Sequence, residues 1–174
     1  MGIEELSDLI QQHGKVLYGF CYKLTGNKTD TDDLYQETFL KALELSHKID
    51  RSQNPKAFLI GIAIRLRKNQ RRKLAWRQRI APTTELTGAV DTQCQAVGEA
   101  TPEEAVLSRE RRIMIRNAVD RLSDKLRIPL YMYYTAEMSV DEIASVLKIP
   151  PGTVKSRLHQ ARKSIKNLVE VDSP

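Results

Sequence analysis

The side chains best equipped to recognise another molecule lie within nine residues near the C-terminus of this sequence: Lys155, Ser156, Arg157, His159, Gln160, Arg162 and Lys163. Long cationic and amide donors of this kind hydrogen-bond to base edges and neutralise phosphates. Their spacing predicts a helix. Val154, Leu158, Ala161, Ile165 and Leu168 recur at i, i+4, i+7, i+11 and i+14, a single stripe to bury, which leaves the donors on the other faces. Just upstream, Ser139 can cap a short helix, Glu142 can return the bond, and Ile143, Ala144 and Leu147 supply an apolar face. Lys148, Ile149, Pro150, Pro151 and Gly152 break that helix before a restart near Thr153. Two short helices about a tight turn, the second rich in cations, make a helix-turn-helix suited to a DNA major groove. The plainer reading is a charged amphipathic hairpin, so the rest of the chain has to decide.

Other constellations carry less chemistry. Cys21 and Cys94 lack metal-ligand spacing, and His13, His47 and His159 form no cluster with them. Asp30, Asp32 and Asp33 could be imagined around a magnesium ion in a nucleic-acid-processing enzyme, but their spacing suits a helix start and no histidine lies near in sequence. The expectation is therefore no catalytic residue, no metal and no cofactor. Two free thiols fit a reducing cytosol. The start MGIEELSDLI is acidic, and no run approaches the roughly 18 to 20 apolar residues of a membrane span. The expected location is the cytoplasm, without membrane insertion.

The elements that must position these residues are marked by charge as well as by periodicity. The net charge is only +6 over 174 residues, but it alternates in blocks. Residues 1–50 hold five Lys against nine Asp or Glu; residues 51–79 hold ten Lys or Arg and no acid. Residues 80–108 hold five acids and no base, and residues 109–174 hold thirteen bases against eight acids. Two basic blocks separated by acidic ones predict two separate surfaces for polyanions.

Ile3 to Gln12 and Val16 to Leu24 read as two short helices punctuated by Gly14. A third opens after Thr29 or Asp30 and runs to about Ser46. Leu34, Tyr35, Phe39, Ala42, Leu43 and Leu45 face inward, and Asp33, Gln36, Glu37, Leu40 and Glu44 line the opposite side. Asn54-Pro55 caps a long helix to roughly Gln78, with Phe58, Leu59, Ile62, Ala63 and Leu66 buried. Arg65, Lys68 and Arg72 share one face of it, Arg67 and Arg71 another. Ala81 to Ala100 reads as a linker. Thr101-Pro102-Glu103-Glu104 restarts a helix to about Leu122, and Leu126 to Tyr134 forms another, with Pro129 in its first turn or at a kink. Leu122, Leu126, Leu130 and Tyr133 are expected beneath the helix-turn-helix. The fold class is all-α: two small helical domains, 1–79 and 102–174, joined by a flexible acidic linker, 80–101.

Two stretches carry a family resemblance. DTDDLYQETFLKAL, Asp30 to Leu43, is close to the pattern Asp-x-x-Asp-Leu-x-Gln-Glu-x-Phe-x-x-Ala, and GTVKSRLHQAR lies within the second stretch, Leu122 to Ile165. Together they resemble bacterial RNA polymerase sigma factors of the extracytoplasmic-function (ECF) group, over most of the chain except the linker. The resemblance implies a non-enzymatic initiation subunit with core RNA polymerase and promoter DNA as partners. It places Asp33, Gln36, Glu37 and Leu40 on the clamp helices of the largest polymerase subunit. The loop around Asp50, Arg51, Ser52 and Asn54, with the basic helix carrying Arg65, Lys68, Arg71 and Arg72, corresponds to the part that melts the -10 element and holds its single strand. Lys155, Ser156, Arg157, His159 and Gln160 correspond to -35 readers, with Arg162 and Lys163 on phosphates. The acidic linker resembles a segment that threads polymerase channels, and an anti-sigma factor is a further partner that the family often has. The sequence departs from the family at Phe58-Leu59, where Trp is frequent, at Arg65 and Asn69, where an Asn and Asp pair is frequent, and at Lys148, where Gly is common. A stand-alone helix-turn-helix regulator is the alternative, but it leaves Asp30 to Leu43 and the acid-free helix without a role.

Overall fold

The computed structural model describes residues 3–45, 54–80 and 102–171, with side chains from residue 7 onward and, after the second break, from residue 106. These residues form seven helices: α1 Ile3–Thr25, α2 Lys28–Glu44, α3 Pro55–Ile80, α4 Pro102–Asp120, α5 Asp124–Tyr134, α6 Val140–Leu147 and α7 Pro151–Val171. The expected linker lies almost wholly outside the described residues.

The two short helices expected at the N-terminus are one. Gly14 sits inside α1 because a helix passes close there: a β-carbon on it would lie 2.7 Å from the Tyr35 hydroxyl. Its role is close approach rather than a break. α1 ends at Gly26 (φ 85°), whose N–H donates to the Tyr22 carbonyl at 2.8 Å. The cap of α2 is Asn27, upstream of both expected candidates; its side chain accepts from the Asp30 N–H at 2.8 Å. Thr31 and Thr38 are buried along α2 without loss, since each hydroxyl donates to a backbone carbonyl one turn back, of Asn27 and Leu34, both at 2.6 Å. Leu43, expected inside, is exposed.

In the C-terminal half the expected capping box is formed. Ser139 accepts from the Glu142 N–H at 3.2 Å, and Glu142 accepts from the Ser139 N–H at 2.7 Å. Lys148 closes α6 in the left-handed region (φ 54°), where a residue with a β-carbon costs about 1 to 2 kcal/mol. α7 then starts at Pro151, which the first helical position tolerates because its missing N–H has no partner there anyway. Pro129 lies in the second turn of α5, so the helix continues through it with one backbone bond to the Lys125 carbonyl absent. Tyr133, expected beneath the helix-turn-helix, is on the surface.

Helices α1, α2 and α3 pack on one another, as do α4 to α7, but the two groups also meet: α3 lies on α6, and α1 on α5. A single apolar core runs through both, from Leu17, Phe20 and Leu34 through Leu59 and Ile60 to Met132, Ile143 and Leu158. Gly61 faces Val146 across this contact, where a β-carbon would sit in ordinary van der Waals contact, 3.5 Å from Val146 Cγ1.

Candidate nucleic-acid interface

The recognition helix is assembled by its own periodicity. Val154, Leu158 and Ala161 of α7 are buried, and Lys155, Ser156, His159, Gln160, Arg162 and Lys163 are exposed. At 100° per residue, Ser156, His159, Gln160 and Lys163 fall on one arc centred opposite the buried stripe. Arg162 and Arg157 flank that arc on its two sides. Arg162 is held by aromatic residues: its Nε donates to the Tyr134 hydroxyl at 2.9 Å, and its guanidinium lies 5.6 Å from the ring centres of both Tyr133 and Tyr134. Arg157 is half-buried and turns toward α3 instead.

The long helix α3 carries the other basic block. Arg65, Lys68, Arg71 and Arg72 are exposed along it, while Arg67 is partly covered. Unlike the α7 cations, several groups of this helix are engaged across the contact between the two halves. Arg71 pairs with Asp124 at the start of α5, which also accepts from Arg127 at 2.6 Å. Burial alone would raise the Asp124 pKa, but the hydrogen bond from Arg127 and the charge of Arg71 hold it below its ordinary value. At the other end, Asn54 caps α3 by accepting from the Lys56 N–H at 3.0 Å, and its amide donates to Glu142. The Ser139 N–H holds the Glu142 carboxyl below its usual range; burial opposes this, and the bond from Asn54 adds to it. Lys56 Nζ donates to the Glu137 carbonyl at 3.2 Å. Asp50, Arg51 and Ser52 lie outside the described residues.

A third surface is of opposite charge. Asp33, Gln36, Glu37 and Leu40, spaced at i, i+3, i+4 and i+7, share the outer face of α2, with Leu40 63% exposed among the carboxylates. Gln70 of α3 donates to Glu37 at 3.1 Å and so orients it. The neighbouring acids point to other partners: Asp32 accepts from the Tyr18 hydroxyl at 2.8 Å, and Asp30 from Asn27 at 3.0 Å. Around the helix Asp32 lies about 160° from Asp30 and about 100° from Asp33, which turns it toward Tyr18 and away from the other two.

Residues 9–77 match the family Sigma-70 region 2, and residues 112–165 match Sigma-70, region 4. The chain is 32% identical to RNA polymerase sigma factor HrpL of Pseudomonas syringae pv. syringae, over 97% of this chain and 88% of that protein. It is 29% identical to ECF RNA polymerase sigma factor SigW of Bacillus subtilis, over 94% of this chain and 88% of that one. The chain belongs to the ECF sigma factors. The same fold appears in Bartonella quintana RpoE, solved with the anti-sigma factor NepR (TM-score 0.79, 20% identity, 98% of this chain and all of that one). It appears again in CnrH, solved with the cytosolic domain of CnrY (TM-score 0.70, 20% identity, 99% and 92%).

As a sigma factor, the protein binds core RNA polymerase and directs promoter-specific initiation. The region 2 match removes the stand-alone regulator, which has no need of residues 9–77. Sequence reasoning passed over the groups that touch the interface residues from elsewhere in the chain: Gln70 on Glu37, Asp124 on Arg71, Glu142 on Asn54, and the Tyr133/Tyr134 platform under Arg162. No motif marks these pairings, because each is made only by the packing of one helix on another.

Proposed function

We propose that this sigma factor divides its work among three surfaces. The outer face of α2, with Asp33, Gln36, Glu37 and Leu40, docks on the polymerase clamp. The α3 cations Arg65, Lys68, Arg71 and Arg72, with Asn54 and the preceding Asp50, Arg51 and Ser52, capture the opened -10 strand. On α7, Ser156, His159 and Gln160 of the outward arc, with Lys155 at its edge, read -35 base edges, while Arg157 and Arg162 on its flanks and Lys163, one turn beyond Gln160, meet phosphates. Residues 1–79 and 102–174 act as separate units in this scheme, joined by 80–101, and the protein works in the cytoplasm without catalysing a reaction itself. Among the described residues no helix is long and apolar enough to cross a membrane. An anti-sigma factor is a further partner, by analogy with the solved relatives.

The observation that carries the reading is the placement of the two cation-rich helices on two halves that match different sigma regions. The two promoter elements, named for positions about 25 base pairs apart, are separated by roughly 85 Å of B-DNA at 3.4 Å per step. A chain of this length packed as one body is only about 40 Å across. The halves therefore separate on the promoter, and the contacts of Arg71, Asn54 and Lys56 with the other half are exchanged for DNA.

Polymerase docking is tested first. Asp33→Lys with Glu37→Lys reverses charge on a surface that must meet a complementary partner, and is expected to cost several kcal/mol of association with core polymerase while -35 duplex binding is retained. Unchanged affinity for core polymerase in a pull-down would remove α2 from the docking surface.

A further inference from the structure

Where the two halves meet, α3 and the C-terminal helices border an open cleft of about 490 Å³, within the size range of small-molecule sites. Arg67, Lys68, Arg71 and Arg72 line one wall, and Lys125 and Arg127 of α5 line the other. Arg157 of α7 adds a seventh cation, and Asp124 is the one acidic lining residue. That carboxylate is already shared between Arg71 and Arg127, so a large positive excess is left facing the cavity. Lys68, Arg72, Lys125 and Arg157 have no carboxylate within ion-pairing distance among the described residues.

Arg67 adds a partly covered charge to the same wall. Its side chain is 23% exposed, its nearest carboxylate, Asp30, is 4.0 Å away, and its Nε is buried without a hydrogen-bond partner. Burial holds its pKa below the ordinary value, an effect Asp30 opposes and the neighbouring Arg71 reinforces. Nε itself has almost no accessible surface, so a ligand in the cleft meets the charge of this guanidinium rather than that donor. The remaining lining is apolar, including Ile64, Ile128, Pro129 and Leu147.

We propose that this cleft binds a compact anion carrying several phosphate groups. Such a ligand accepts from the α3 cations and from Lys125 and Arg127 together, so the site is complete only while the halves are closed. The anion binds the closed arrangement better than the open one and shifts the population toward it. The cavity suits a small molecule rather than a duplex, and the ligand competes with the -10 strand for Lys68, Arg71 and Arg72 while leaving the outward arc of α7 free. The regulatory consequence rests on the proposed promoter function; the binding site does not.

The test is calorimetric titration of the full chain with sodium tripolyphosphate at constant ionic strength, with sulfate as the control for simple charge. One saturable site per chain is expected, weakened at least tenfold by Arg67→Leu and by Lys125→Ala. Lys125 is an exposed side chain whose loss does not endanger folding. Lys166→Ala, on α7 outside the cleft, should leave the affinity unchanged. Tighter binding of a nucleoside triphosphate supports the site and shows a base on the apolar lining; equal binding supports it and shows that the phosphate chain alone is read. Non-saturable binding, indifference to both cleft variants, or binding of a single-stranded oligonucleotide but not of tripolyphosphate overturns the proposal. Association of the full chain with core polymerase, measured by pull-down without tripolyphosphate or nucleotide, is retained under either outcome, so failure of the anion site is distinct from failure of the promoter function.

Discussion

Helices α3 and α7 are both amphipathic and both rich in Lys and Arg, yet their cations stand in different situations. On α7, His159, Gln160 and Lys163 face solvent with a buried stripe behind them. On α3, Arg71 is paired with Asp124 of the other half, and the helix start is tied to Glu142 and Glu137 through Asn54 and Lys56. The proposed -35 reader is thus displayed as folded, whereas the proposed -10 helix is engaged across the contact between the halves. Exposure on α7 follows from one helix's own periodicity; availability on α3 depends on domain docking.

The largest effect should come from removing the α3 cations. Arg65, Lys68, Arg71 and Arg72 replaced together by Ala should abolish most -10 strand capture and make the salt dependence of promoter binding shallower by about 3 in log–log slope, at 0.7 to 0.9 per phosphate contact. A template with a pre-opened -10 bubble should recover much of the transcription. If it recovers none, α3 acts before melting and the contrast with α7 loses its basis.

Readout on α7 is the next test. His159→Ala or Gln160→Ala should flatten preference at one or two -35 positions, by roughly 1 to 3 kcal/mol each, while Lys163→Ala should weaken all sequences alike. Binding to a library randomised over the -35 element at fixed salt separates these outcomes. A sequence-dependent effect of Lys163→Ala with uniform losses at His159 and Gln160 would mean that α7 enters the groove in another orientation, with a later turn of the helix against the bases.

Gly61 tests the docking itself. A leucine there must push against Val146, costing the closed arrangement about 1 to 3 kcal/mol by overpacking, while Leu59, Ile62 and Ala63 remain buried in their own half. Gly61→Leu should raise the radius of gyration in X-ray scattering and speed capture of the -10 strand without changing -35 duplex affinity. An unchanged radius would show that α3 and α6 slide past the added side chain.

The smallest effect is on pH. Asp124 and Glu142 both have folded-state pKa values below their ordinary ones, so their contribution is fully present above about pH 5 and is lost as pH falls through and below about 4. Thermal stability should be level from neutral pH to about 5 and decline below, with a shallower decline in Asp124→Asn. Both groups are partly solvated, so the change should be modest.

Much of this protein was legible because its signals are local. The stripe Val154, Leu158, Ala161, the capping box Ser139/Glu142 and the helix break that begins at Lys148 all involve residues within a few positions of one another, where helix geometry alone decides which side chains meet. The same holds for the exposed acidic face of α2. Errors arose where a distant element intervened. Gly14 reads as a break until Tyr35 is seen occupying the space beside it, and Tyr133 reads as core until Arg162 is seen lying on it.

The sequence by itself determined that the chain is helical, where its two basic blocks lie, and which α7 side chains face outward, because helical periodicity and charge distribution are properties of short segments. Only the tertiary structure decided that Arg71 meets Asp124, that Asn54 meets Glu142, and that Arg67 is partly covered with its Nε unpaired. These partners are 53 and 88 residues apart in the first two cases, and nothing in local propensity encodes such a pairing. It arises when the apolar surfaces of α3 and α6 bury one another and carry their charged rims into contact.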